Sequence, residues 1–429
     1  MPESQPSVVP DAANSTRVLV SHAPVRRLLV SSFCVSSGVL LQATALGKQV
    51  FDITDRELDI GLLGLAEFLP AVLLVLVTGA VADRFNRKVV GSLAISGELM
   101  CSIALALYAM SSPTAVWPLF VIAVAFGAVR AFAAPAIRSI PPMVAPEGAL
   151  PRLIALYSAT WTSAAIVGPA IGGILYAIDP SVAYWASAVL IANGMIQLAR
   201  VTFLRQPPPP DPSERPSLHS ALEGLRFIRR TPILLAAIAL DLFAVLFGGA
   251  VALLPAIAED RLGVGDVAYG WLRAAPGIGA ALVALVLASR PVTRRVGSTL
   301  LAVVGLFGAA TVVLGVTTSY VVAFVALVIL AGADMISVYI RGTIVPLVTP
   351  DDKRGRVMAV ENVFIGASNE LGAFESGVAA QAFGTQAAVI GGGVATIGIV
   401  GVFAVAFPAL RRVNRFEDLV DDDPETVRP

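Results

Sequence analysis

Apolar residues run along this chain in long blocks, each closed by a short polar or charged break. A helix needs about 20 apolar residues, at about 1.5 Å of rise each, to cross about 30 Å of hydrocarbon. Twelve blocks reach that length: 27–50, 60–82, 89–111, 115–138, 152–177, 182–204, 232–255, 267–289, 298–317, 319–347, 357–380 and 386–410. The breaks are short except for 205–231. That stretch contains RQPPPPDPSERPS, whose prolines cannot sit inside a helix, followed by LHSALEGLRFIRR, which predicts an amphipathic surface helix. It parts the chain into six spans and six spans.

Composition agrees with a chain solvated mostly by lipid. Of 429 residues, 56% are hydrophobic and 14% are charged, against about 25% charged in soluble domains. Lys plus Arg equal Asp plus Glu at 30 each, so net charge points to no partner, nucleic acid included. Their placement is informative. Arg17, Arg26 and Arg27 precede span 1. Arg84, Arg87 and Lys88 fill the 2–3 turn, and Arg138 and Arg152 the 4–5 loop. The middle segment has Arg205, Arg215, Arg226, Arg229 and Arg230, and the 8–9 turn Arg290, Arg294 and Arg295. The 10–11 loop has Lys353, Arg354 and Arg356, and the tail has Arg411, Arg412 and Arg415. The alternate loops hold only Lys48, Arg56 and Arg261. Basic loops stay in the cytoplasm, so both termini are expected there. This gives a cytoplasmic N-terminal tail (1–26), a six-helix bundle (27–204), a cytoplasmic linker (205–231), a second bundle (232–411) and a cytoplasmic acidic tail (412–429). Cys34 and Cys101 lie in apolar blocks, and His22 and His219 in polar ones. They offer neither a disulfide framework nor a metal cluster. No cofactor is implied.

The halves repeat. At a spacing of 204 residues, Pro142 matches Pro346, Val144 Val348, Pro146 Pro350, Arg152 Arg356 and Ala155 Ala359, and in the same register Gly168 matches Gly372 and Gly173 Gly377. Six helices per repeat give both copies the same orientation, related by an axis along the membrane normal. The predicted fold is an all-α membrane protein of twelve transmembrane helices in two parallel-related six-helix bundles. Such bundles can rock against one another around a substrate held near the midplane.

Between spans 2 and 3 the chain reads GAVADRFNRKVV. Gly79, Asp83, Arg84, Arg87 and Lys88 resemble the G-x-x-x-D-R-x-x-R-K turn of the major facilitator superfamily. Asn86 stands where that family often has glycine, and it too tolerates a left-handed turn. The resemblance implies that the turn latches the cytoplasmic side, with Asp83 facing the N-terminus of span 11. In span 5, AIVGPAIGGILYA carries Gly168, Pro169, Gly172 and Gly173, which resemble the G-P-x-x-G-G motif of exporting branches. LGLAEFLPAVLLVLVTGAVADRFNRKVV, SLHSALEGLRFIRRTPIL and ALPRLIALYSATWTSAAIVGPAIGGILY are similar to the branch that contains the enterobactin exporter and drug–proton antiporters. That resemblance covers roughly 27–412. NVFIGASNELGAFESG departs from the siderophore exporter by its two acids.

Charges inside a bilayer cost at least about 2.5–3.5 kcal/mol each, so they face a partner, a cavity or a pathway. The spans hold Glu67, Glu98, Arg130, Asp241, Arg273, Asp334, Glu361, Glu370 and Glu375. Glu98, Asp241, Asp334 and Glu370 fall near mid-depth and are the main candidates for proton carriage, with Arg130 and Glu375 beside them. Arg130 resembles the intramembrane arginine that the superfamily places in span 4. A structural ion pair is the competing role for each, as it is for Arg341. Glu370 and Glu375 project about 140° apart on an ideal helix and do not share a site.

With no nucleophile motif, phosphate loop or metal cluster, the sequence predicts a transporter rather than an enzyme. The resemblance implies a monomeric secondary exporter in a bacterial cytoplasmic membrane. It would move an amphiphilic small molecule by alternating access, in exchange for protons, with membrane lipids around it. A lipid or lysophospholipid transporter, or an uptake permease, fits the same pattern. The sequence leaves substrate and coupling ion open.

Overall fold

Each apolar block becomes a helix because only a helix satisfies its own backbone N–H and C=O groups within hydrocarbon. The computed structural model describes residues 16–204 and 218–419, without the side chains of 75–77, 79–80, 82–84 and 218–221. No strand occurs among the described residues. Spans 1 to 6 are Ala23–Thr54, Glu57–Arg84, Arg87–Ala109, Trp117–Arg138, Leu150–Tyr176 and Pro180–Ala199. Span 7 covers Pro232–Arg261. Spans 8 to 12 are Asp266–Ser289, Val296–Val316, Tyr320–Val348, Asp351–Phe383 and Thr385–Ala406. Among the described residues, ten helices are long and apolar enough to cross a bilayer. Spans 2 and 11 are the other two. Span 11 opens on DDKRGR and carries Glu361, Glu370 and Glu375.

Several boundaries differ from the sequence expectation, each for a local reason. Span 1 runs past 50 to Thr54, where Asp55 turns left-handed and its N–H closes on the Phe51 carbonyl. Lys48 therefore lies inside the helix and is buried; it is not a loop charge. Span 7 does not end near 255. It breaks after Phe247 and continues as a 3₁₀ turn (Gly249–Val251), a short helix (Leu254–Ala256) and a π turn (Ile257–Arg261). Pro255 has no N–H to offer the Val251 carbonyl. Arg273 of span 8 donates Nη1 to that carbonyl instead, at 3.3 Å. Span 11 starts at Asp351 rather than 357, with Asp351 and Asp352 in the first turn, where the helix dipole favours carboxylates. Asn86 is not left-handed. Its backbone is extended, and its Oδ1 accepts the Lys88 N–H at 3.0 Å, capping span 3.

Spans 1–6 and 7–12 form two bundles. Each holds one apolar cluster toward the termini and one toward the opposite face, the first around Leu28 and Leu153 and around Leu234 and Ile344, the second around Leu46 and Leu105 and around Leu254 and Leu327. Between the clusters of the first bundle, Ser102 donates to Gln42 and pairs with Ser187, which donates to the Gly38 carbonyl.

The repeat reappears as geometry. Gly168 packs on span 1 at Ser37 and Leu41, and its counterpart Gly372 on span 7 at Val245 and Leu246. Gly173 packs on span 8 at Asp266 and Gly270, and its counterpart Gly377 on span 2 at Glu57 and Gly61. Two helix pairs, 5 with 8 and 11 with 2, thus join the bundles in the same way.

The predicted surface helix forms at Leu218–Arg230. It lies along the start of span 11, where Glu223 accepts from Arg356 at 2.7 Å and Lys353 sits over the Phe227 ring. Part of the tail is docked as well: Gly297 donates to the Val413 carbonyl, and Phe416 packs edge-on to Tyr339.

Candidate transport site

Polar ties between the bundles cluster at the face opposite the termini. Lys48 of span 1 binds Asp52, one turn on in its own helix. Across the bundle boundary it donates to Glu259 of span 7 at 2.5 Å and lies 3.8 Å from Asp266 of span 8. Tyr176 of span 5 donates to the second Asp52 oxygen at 2.6 Å and so holds that carboxylate in place. Tyr269 Oη donates to the Thr44 carbonyl at 3.2 Å, and Thr385 donates to Glu57 at 2.8 Å. Phe51, Ile60 and Ala256 form an apolar plug beside these bonds. Small residues let the backbones meet there: a Cβ at Gly173 would stand 2.5 Å from Asp266 O and Gly270 Cα. The spacing of Lys48 and Asp52 was legible in sequence as an (i, i+4) pair. Glu259 and Asp266 carried no local sign that they meet it.

Below this seal, at mid-depth, charged groups from both bundles converge. Arg130 of span 4 lies within electrostatic reach of Glu67 (span 2), Glu98 (span 3) and Glu370 (span 11). Glu67 also feels Arg273. Arg130 is exposed and forms no ion pair with any of these acids among the described residues. An exposed arginine at this depth faces an aqueous opening, since lipid would not solvate it. Glu370 reaches toward span 2, its Oε2 only 2.9 Å from where a Gly64 Cβ would be. Glu98 is 3% exposed, and its Oε2 has no hydrogen-bond partner. Glu375 lies apart, beside Ser376.

A second charged group sits wholly within the second bundle. Arg341 of span 10 is 4% exposed. Its Nη2 lies 2.7 Å from Asp241 Oδ1 of span 7, its Nη1 is 3.9 Å from Glu361 Oε1 of span 11, and its Nε donates to Ser337 at 3.3 Å. Asp241 and Arg341 thus form a buried pair; the sequence offered an ion pair as the competing role for each without naming the partner.

The family described as transmembrane secretion effectors, a branch of the major facilitator superfamily, matches residues 18–424. This chain belongs to that family. The multidrug efflux pump Tap of Mycolicibacterium fortuitum is 26% identical over 411 residues, 91% of this chain and 97% of that one. The enterobactin exporter EntS of Escherichia coli is 26% identical over 347 residues, covering 79% of this chain and 81% of that one. In fold, the chain is similar to a bacterial homolog of the human lysosomal transporter Spinster in an inward-facing, unoccupied conformation. The TM-score is 0.65 with 18% identity, over 92% of this chain and 97% of that one. It is a membrane transporter of the major facilitator type and not an enzyme.

The motif residues of this major facilitator chain are placed as follows. Gly79, Asp83 and Arg84 fall in the last turns of span 2, and the side chains of Asp83 and Arg84 lie outside what the structure describes. Arg87 opens span 3, and Lys88 donates to the Val201 carbonyl at 2.8 Å, which ties the turn to the end of span 6. In span 5, helix continues through Pro169. Gly168 and Gly172 face span 1 inside the first bundle, whereas Gly173 faces span 8 across the boundary. Glu67 and Arg273 emerge as members of the central group. Sequence identified them as intramembrane charges, but depth along the chain alone did not set them beside Arg130.

Proposed function

We propose that this transporter exports an amphiphilic small molecule by alternating access in exchange for protons. Both termini would face the cytoplasm, as the basic loops predict, so the face opposite the termini is the external one. The present conformation is then inward-facing, sealed outside by the Lys48 group. The observation that carries this reading is the mid-depth group of Glu67, Glu98, Arg130 and Glu370. It draws on both bundles, sits directly inside the seal, and leaves Arg130 facing open space instead of pairing it. A site built from both halves changes whenever the halves rock, and it couples proton and substrate if binding of each disfavours the other. Similarity to an efflux pump and a siderophore exporter supports export.

The test is transport in proteoliposomes with an imposed pH gradient. Glu370→Gln, which mimics the protonated carboxyl, should lose uphill transport and keep downhill exchange. Wild-type transport that ignores the gradient, or pH-driven transport surviving in each of Glu98→Gln, Asp241→Asn, Asp334→Asn and Glu370→Gln, refutes proton antiport.

A further inference from the structure

The group inside the second bundle has an unbalanced charge count. Asp241, Asp334 and Glu361 share one cation, Arg341, and all three lie within its electrostatic reach. The guanidinium is already committed to Asp241, Glu361 and Ser337. Asp334 lies on the same face of span 10 as Ser337 and Arg341, about two helical turns from the arginine. It receives no hydrogen bond among the described residues. Between Asp334 and Asp241 lies a cavity lined by these two carboxyls and Ser337, and otherwise by apolar side chains such as Val304 and Phe307. It measures about 10 Å³, enough for one water. Span 9 offers only apolar residues to it, and the described contact from span 12 nearby is neutral, Thr396 on the Ala244 carbonyl.

The geometry points to a proton-binding site at this place: one proton held by the Asp241–Asp334 pair and relayed between them by a single water. Asp241 and Asp334 line one largely apolar cavity, and with a single guanidinium already shared by Asp241 and Glu361 the three acids cannot all stay charged. Room of this size admits a water or hydronium. The site is separate from the central group that faces the opening. It bears on that group mechanically, because Arg341 bridges span 7, just before the break at Gly248, to span 11, which carries Glu370 one to three turns further on. With Asp241 charged, Arg341 clamps spans 7 and 11 together. With the proton on Asp241, the clamp rests on Glu361 alone and the two helices are freed to shift. The site deepens the proton-antiport reading by giving the second bundle its own proton, yet its occupancy is measurable without transport.

The test is infrared difference spectroscopy of the reconstituted full-length protein between acid and alkaline buffer, following the carbonyl stretch of protonated carboxyls. Wild type should show a titrating band that is lost in Asp334→Asn and lost or displaced in Asp241→Asn. Asp334→Glu, which keeps a carboxyl, should retain a shifted band, and Glu417→Gln in the tail should leave the band unchanged. Replacing sodium by choline should not alter it. A titrating spectrum that loses no component in either Asp334→Asn or Asp241→Asn overturns the assignment, whatever bands the central acids contribute. So does a wild-type band that responds to sodium at constant pH, since the site then takes a metal cation. If the band behaves as expected while wild-type transport ignores the pH gradient, proton antiport fails and the proton site stands.

Discussion

The Lys48 seal, on the face opposite the termini, makes an asymmetric prediction, because Lys48 has partners on both sides of the boundary it closes. Its two partners across the boundary are partly solvated: the Glu259 side chain is 53% exposed and that of Asp266 is 30% exposed. Ion pairs of that exposure contribute about 1 kcal/mol or less each. The seal's ionic share is therefore at most about 2 kcal/mol, and Glu259→Gln with Asp266→Asn should favour the state open on this face by up to about 30-fold. Asp52 acts in the opposite direction. It stays with Lys48 when the bundles part, so opening never strands a buried lysine. In Asp52→Asn, Lys48, whose side chain is 8% exposed in the sealed state, keeps a carboxylate partner only while the seal is shut, so this variant should bias that face toward closure and slow transport. The assay is electron–electron distance measurement between spin labels at positions 111 and 318, on the 3–4 and 9–10 loops of the face opposite the termini, in a background lacking Cys34 and Cys101. The double variant should enrich long distances and Asp52→Asn should deplete them. If both shift the distribution in the same direction, the exchange of partners by Lys48 is not how the seal opens.

Other consequences follow from the same contacts. A valine at Gly173 or at Gly377 would place its Cβ 2.5–2.9 Å from backbone of the opposite bundle; both variants should raise labelling of a cysteine at 318 and cut transport at least tenfold, and normal transport in either would show that the two joints are not equivalent. Arg273→Ala leaves the Val251 carbonyl without its donor, so the melting transition should fall by an amount equivalent to about 1–3 kcal/mol, with Arg273→Lys recovering part of it; an unchanged transition would mean that the break in span 7 supports itself. Asp83→Asn should slow transport while leaving ligand affinity within a few fold, measured by flux and equilibrium binding; wild-type flux would reduce Asp83 to an anchor.

The sequence alone determined the twelve spans, the division into six and six, and the repeat, because each is written in local or regularly spaced residues. Apolar length forces a helix where no water can satisfy the backbone, and the Gly168/Gly372 and Gly173/Gly377 matches record the duplication directly. It also named most of the intramembrane charges, since an ionised group in a span is conspicuous, but it placed Lys48 in a loop. What it could not supply was company. Glu259 and Asp266 meet Lys48, and Arg341 pairs with Asp241, only because helices distant in the chain pack side by side. Helical periodicity gives the face of a residue but not the neighbour on that face. The break in span 7 was half legible: Pro255 announces a missing N–H, but only the packed bundle brings Arg273 to the carbonyl left behind. Glu370 and Glu375 show the same division. Their spacing says that they point apart, and the tertiary structure decides that Glu370 is the one facing Gly64 and Arg130, because a glycine at 64 leaves room on span 2 for its carboxyl.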